Sequence, residues 1–416
     1  MIFLYIVLIC KILSKEIITL KFRQSNKNPT SKNPEDLLDN IKNNQINIDF
    51  YVGTPEKKIS ILLLFTTYPF SLIGDEVIGN YEKLSSSSSS LKKISDNITF
   101  VSYYYNEGYL SKEKFILKNI NGKTIKVNDL NFILIKNLTS QIPGFIGLNI
   151  NDYSPDKIQD YNFIKALKIL NIIDSYYFTI KYYKNEGEII IGNKPHEYDD
   201  NYNKQYFQYV RNYNNLNWGI KFDYIYLNNK KFKVKEKENF IFRIEYGLIS
   251  APFDYKIYID EIFKEYINEG KCFSKLKNNN ISYFYYCNND LSNFPSLTFE
   301  ISILEYNFTF EKNDLFEYSN GYYIFLIQFR KNEKNWLIGK EIFKKYQLVF
   351  NQDTKQIGFY TFIEKNNPLS FILIIIFIII IIILSFIIYR KLTKNSQKKK
   401  ASELIEEKLL NEGNLK

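Results

Sequence analysis

From Leu369 to Tyr389 the chain runs for 21 residues without a charged side chain, LSFILIIIFIIIIIILSFIIY. At about 1.5 Å per residue, a helix of this length covers roughly 30 Å, the thickness of a bilayer's hydrocarbon core. A span constrains the rest of the chain because it fixes the compartment in which everything before it must fold. Arg390, Lys391, Lys394, Lys398, Lys399 and Lys400 follow at once, with no acidic residue among them. The positive-inside rule then leaves the tail, 390–416, in the cytosol. Juxtamembrane Lys and Arg ordinarily serve topology and anionic lipid, so a nucleic-acid tail is the weaker reading. A single-pass, monomeric membrane protein with no nucleic-acid partner is expected.

Residues 1–21 carry the apolar run Ile2–Cys10, of signal-peptide length but without a positive residue before it. It reads as a signal peptide or a signal anchor, and either places the chain up to residue 368 outside the cytosol. The expected location is the secretory pathway or the cell-surface membrane. In that compartment Cys272 and Cys287 can pair, closing a loop of about fifteen residues worth on the order of 3 kcal/mol. Sequons at Asn97, Asn137, Asn280 and Asn307 become usable there. In so Asn-rich a chain they also arise by chance.

The 416 residues suffice for two domain-sized units or one large bilobal one. A single histidine, His196, excludes a His-cluster metal site, and three cysteines exclude Cys-rich zinc modules. No Walker loop, dinucleotide glycine motif or G-x-S-x-G elbow occurs, so neither metal nor cofactor is expected. The surplus of Ile, Asn, Lys, Tyr and Phe is spread along the whole chain, which lowers the weight of any Lys-rich or Asn-rich run.

Residues 22–44 are polar with two Asn-Pro steps, and read as an extension or a pro-segment remnant. From Ile46 onward, short β-like runs alternate with Asn, Gly, Asp and Lys turns: INIDFYV, ISILLLF, DLNFILI, YYFTIKYY, FIFRI and QLVFN among them. Helical spacing shows at 162–173, 257–267 and 339–346. The fold class is all-β with a few short helices, plus the C-terminal transmembrane helix.

Several stretches then fall in a telling order: FYVGTP (50–55), VSYYYNEGYLSKEKF (101–115), PGFIGL (143–148), YYFTIKYYKNEGEIIIGN (176–193), NWGIKFDYIYLNN (217–229) and NWLIGKEIFKKYQLVFNQDTKQIGFY (335–360). In this order and at these spacings the chain resembles the pepsin-like (A1) aspartic proteases over roughly 45–362. The resemblance implies a bilobal fold, with an N-terminal lobe at 45–200 and a C-terminal lobe at 201–362. It implies a flap hairpin at 101–115, whose tyrosine is one of Tyr103, Tyr104 and Tyr105, and it puts Cys272 and Cys287 at the C-terminal-lobe disulfide. Trp218 and Trp336 fall where the family keeps core aromatics, and His196 in an exposed loop after the first lobe.

The family mechanism needs two aspartates, one from each lobe, near enough to share a proton; one activates water while the other acts as acid. Each comes from an Asp-Thr/Ser-Gly loop. Counting from Gly53-Thr54-Pro55 puts Phe65-Thr66-Thr67 on the first loop, and FIFRIEYGLISAP (240–252) puts Arg243-Ile244-Glu245 on the second. Phe65 and Arg243 cannot take a proton from water. A shift of one residue brings up Leu64 or Thr66, neither acidic. Lys340 and Asn351 likewise stand where the family has Asp. A family pro-segment lysine pairs with the dyad, but here Lys42 has none to mask.

The resemblance therefore implies a pseudoprotease that binds a peptide or an anionic group in the remnant cleft, lined by Thr66, Thr67, Glu245 and the flap tyrosines. Two alternatives stay open: an active membrane-anchored aspartic endopeptidase, and a structural surface protein keeping only the scaffold. For Arg243, anion recognition stands against neutralisation by Glu245 or backbone carbonyls. For Phe65, filling the cleft stands against stacking on a ligand.

Overall fold

The computed structural model describes residues 15–25, 31–43, 45–65, 69–95, 98–101, 105–137, 144–150, 161–183, 185–213, 217–227, 230–236, 238–277, 281–291, 293–361, 377 and 379–391. The chain divides into two compact units, Met1–Phe362 and Ile363–Lys416.

The first unit is built mainly of strands, for the reason the sequence suggests. Ile46–Val52 buries Ile46, Ile48, Phe50 and Val52 and turns the intervening residues outward, the period-2 pattern of a half-buried strand. The expected helices are Phe163–Ile169, Lys256–Asn268 and Glu341–Lys345. One sheet takes strands from both halves in the order Phe207–Arg211, Gln356–Tyr360, Val349–Asn351, Tyr177–Tyr183, Glu186–Ile191 and Ile18–Gln24. The two halves thus share a hydrogen-bonded ladder. Trp218 and Trp336 are core residues, the first packed on Phe178 and Phe350, the second stacked on Phe240.

The polar stretch 22–44 is built into this frame. Its strand begins upstream, inside the 1–21 segment, and runs Ile18–Gln24 between Glu186–Ile191 and Ile46–Val52. A helix follows, α1 (Pro34–Lys42). Asn33 caps it by accepting from the Glu35 amide, Pro34 sits in its first turn where the missing N–H costs nothing, and Glu35 and Asp36 meet the positive end of the dipole. Leu37, Leu38 and Ile41 are buried against Leu248, Phe284, Ile324 and Leu326 of the C-terminal half.

Cys272 and Cys287 form a disulfide, directly opposite one another on adjacent antiparallel strands. In the second unit, residues 377 and 379–391 are helical, with isoleucines from Ile379 to Ile388 about half exposed or more. Among the described residues no helix is long and apolar enough to cross a membrane. Most of the first half of Leu369–Tyr389 lies outside the described residues.

Candidate functional site

The same strand arrangement occurs once in each half, and it fixes which residues correspond. Lys57–Leu64 runs parallel to Phe145–Gly147, with Leu63 opposite Ile146. Phe240–Phe242 runs parallel to Trp336–Ile338, with Phe242 opposite Ile338. Each partner strand reaches an Ile-Gly step, Ile146-Gly147 and Ile338-Gly339, and each is met antiparallel by a further strand, at Ser71 and at Ser250. Superposing the two arrangements sets Leu63 on Phe242, Leu64 on Arg243, Phe65 on Ile244 and Ser71 on Ser250.

Strand pairing therefore moves the first-loop position by one residue, from Phe65 to Leu64. A count along the sequence cannot see register, and a one-residue slip exchanges the two faces of a strand. Phe65 and Ile244 share the inward face, both fully buried. The Phe65 ring meets Phe178, Phe343 and Phe350 edge-on, with centroids 6.0, 5.4 and 5.3 Å away. It is a core side chain, so it neither fills the cleft nor offers a stacking surface. Leu64, like Phe65, carries no acidic group.

Arg243 leaves the end of its strand at the boundary between the halves. One guanidinium nitrogen donates to the Glu245 carboxylate at 3.1 Å and to the Phe65 carbonyl at 3.3 Å. Glu245 in turn accepts from the Phe65 amide at 3.1 Å. Asn149 donates weakly to the same Phe65 carbonyl at 3.4 Å and to Asn217 at 3.0 Å. One ion pair from the second loop thus clamps both backbone groups of Phe65. Its side chains are 19% and 15% exposed, so water screens them little. The Arg243 Nε is buried with no partner among the described residues. These groups can position a chain or receive an acceptor atom. A guanidinium and one carboxylate already paired to it do not form two acids sharing a proton.

Other predicted residues are distributed as follows. Thr66, Thr67, Tyr103, Tyr104, Asn97 and Asn280 lie outside the described residues. Tyr105 opens the long strand Tyr105–Asn119, which forms a hairpin with Ile98–Val101 where the flap is expected. Asn137 and Asn307 are exposed. Lys340 is almost wholly buried, and burial lowers its amine from the ordinary lysine range. Asn351 accepts from the Asp353 and Thr354 amides and shapes the turn after its strand. His196 is half-buried rather than exposed, because its backbone N–H donates to the Tyr360 hydroxyl while that hydroxyl lies 2.8 Å from the ring Nδ1. Among the described residues no group of three or more His, Cys, Asp or Glu side chains could hold a metal ion.

The sequence reading missed the occupant of the second loop's outer face. The Lys42 carbonyl, at the end of α1, accepts from the Gly247 amide at 3.3 Å, two residues beyond Glu245. A Cβ added at Gly247 would lie 1.8 Å from the Ile41 carbonyl oxygen, so only glycine admits the helix here. The available signals were the Asn33-Pro34 helix start and the apolar Leu37, Leu38 and Ile41.

A family model described as eukaryotic aspartyl protease matches residues 74–362, well over half of the chain. The match begins just past the first loop. No curated protein matches the chain.

Proposed function

The chain belongs to the eukaryotic aspartyl protease family, and on that premise we propose that it is a member that binds polypeptide without cleaving it. The observation supporting this is the clamp at the floor of the boundary. Arg243 stands where the second acid is needed, Leu64 stands at its counterpart, and Glu245 is spent on Arg243 and the Phe65 amide. Peptide hydrolysis by this family's route requires one carboxyl to hold a proton while its neighbour is ionised. A carboxylate locked to a guanidinium is in no position to alternate with a leucine. What survives of the machinery is the two-lobed boundary, with lobes at 45–200 and 201–362, and polar groups suited to hold an extended chain. In this reading Leu369–Tyr389 anchors the lobes to a secretory or cell-surface membrane, with the tail 390–416 in the cytosol.

Affinity selection tests both halves of the proposal. The full-length protein in detergent is incubated with a mixed peptide library across acidic and neutral pH, and the retained and free peptides are sequenced by mass spectrometry. Retention of intact peptides is expected. Cut peptides would overturn the non-hydrolysing half, and an empty retained fraction would overturn the binding half.

A further inference from the structure

The sheet face covered by α1 carries more positive charge than the residues around it neutralise. Lys277, Ser282 and Arg330 stand directly opposite one another on three adjacent strands, so their side chains leave the same face. Asp39 of α1 is held by Lys277, and Lys42 follows it by three residues on the same side of the helix, which sets the end of α1 over this row. Lys277 is already engaged, donating to Asp39 at 2.5 Å and to the Glu35 carbonyl at 3.0 Å. Lys42 and Arg330 have no ion pair among the described residues. All three cations are at least partly buried. Lys275, two residues before Lys277, is paired with Glu35 of α1, so four cations stand here against the two engaged carboxylates Asp39 and Glu35. Burial first, then the charge of Arg330 and, less, that of Lys277 lower the Lys42 amine from the ordinary lysine range, with the Asp39 carboxylate opposing them. Ser250, one row along on the same face, is 2% exposed and its hydroxyl has no partner among the described residues. Its counterpart Ser71 shares that condition, so the hydroxyl alone marks nothing; the cations distinguish this corner.

We propose that the corner between the end of α1 and the row Lys277–Ser282–Arg330 binds a compact oxyanion, a carboxylate or a phosphate, held by Lys42 and Arg330. Like charges held together in a partly buried place repel, and an anion between them removes that repulsion while accepting charge-assisted hydrogen bonds. The arginine fork suits a planar or tetrahedral oxyanion, and the lysine supplies a point charge beside it. The Arg243 guanidinium is a poorer candidate because Glu245 already neutralises it. The inference deepens the binding reading above and rests on it only in that the boundary holds a ligand.

The test follows acylation of Lys42 in the full-length protein by mass spectrometry, with inorganic phosphate, with a short C-terminally amidated peptide carrying a terminal Glu, with its amidated Gln analogue, and with chloride at matched ionic strength. Lys42 labelling is expected to slow about tenfold with phosphate or the Glu peptide and to be unchanged by chloride or the Gln peptide. Protection by phosphate alone identifies a free oxyanion, and protection by the Glu peptide alone identifies an acidic peptide group. In Arg330→Gln the protection should vanish, and in Lys264→Gln, an exposed control on another element, it should persist. No protection in the wild type overturns the proposal even if Arg330→Gln fails to fold, and undiminished protection in a folded Arg330→Gln does so as well. Peptide cleavage by the wild type would sink the non-hydrolysing reading and leave this protection untouched.

Discussion

Glu245→Ala is the substitution whose cost follows most directly from the geometry. The wild-type carboxylate accepts from Arg243 and from the Phe65 amide, both at 3.1 Å. Its loss leaves a guanidinium that is 19% exposed with the Phe65 carbonyl as its remaining partner, and leaves the amide of a buried residue bare. Breaking a buried pair from one side costs about 3–5 kcal/mol, and the residual exposure argues for the lower end, about 3 kcal/mol. Arg243→Leu alone should cost less, about 2 kcal/mol, because Glu245 keeps the Phe65 amide and Asn149 still reaches the carbonyl. The double variant Arg243→Leu/Glu245→Leu strands no charge. It loses mainly the Phe65 amide bond, about 1–3 kcal/mol, so its cost should fall short of the sum of the singles by about 2–4 kcal/mol. Urea titrations of the full-length chain, followed by the emission of buried Trp218, measure all three. Single-variant costs below about 0.5 kcal/mol with no coupling would refute the clamp and return Arg243 to the pool of free ligand-binding groups.

Three other outcomes are expected. Replacing Cys272 and Cys287 with Ser opens a link between residues 15 apart and should lower stability by about 3 kcal/mol in the same titration, unless reduced and oxidised wild type already unfold together. Leu38→Ala removes a fully buried side chain from the α1 contact, and a loss of about 3 kcal/mol with faster amide exchange across 34–42 should be seen; unchanged exchange would mean that α1 is not held by this face. Burial is the main cause holding the His196 imidazole below its ordinary value of 6.5, with Lys194 and Lys204 acting the same way and Glu197 opposing. The unfolded chain therefore binds that proton more readily, so stability should fall as pH drops through about 6.5 and below, and His196→Gln should flatten that part of the profile.

Much of the fold was legible because strands declare themselves by alternation, as in Ile46–Val52, and because landmark segments such as PGFIGL and NWLIG turned out to be the partners of the two loop strands. The disulfide followed from the placement of two cysteines. The register of the first loop was not legible. Leu64 and Phe65 are both apolar, and only the ladder to Phe145–Gly147 tells which faces inward. The role of 22–44 was hidden for a different reason. Its polar composition describes the solvent side of α1, while three apolar side chains and a glycine more than two hundred residues away decide where it docks. Contacts of such separation leave no local pattern. The same holds for His196, whose partner Tyr360 closes the other end of the unit.

The central claim is that the boundary has lost its acids while keeping its frame, and rebuilding them tests it most directly. Wild type, Leu64→Asp/Arg243→Asp and Phe65→Asp/Arg243→Asp would each be incubated with a mixed peptide library from acidic to neutral pH, and products read by mass spectrometry. The account predicts no cleavage by the wild type, and any gain of acid-optimum cleavage confined to the Leu64 version, whose two carboxyls occupy corresponding positions. Cleavage by the wild type, blocked by a transition-state mimic of peptide hydrolysis, would contradict it.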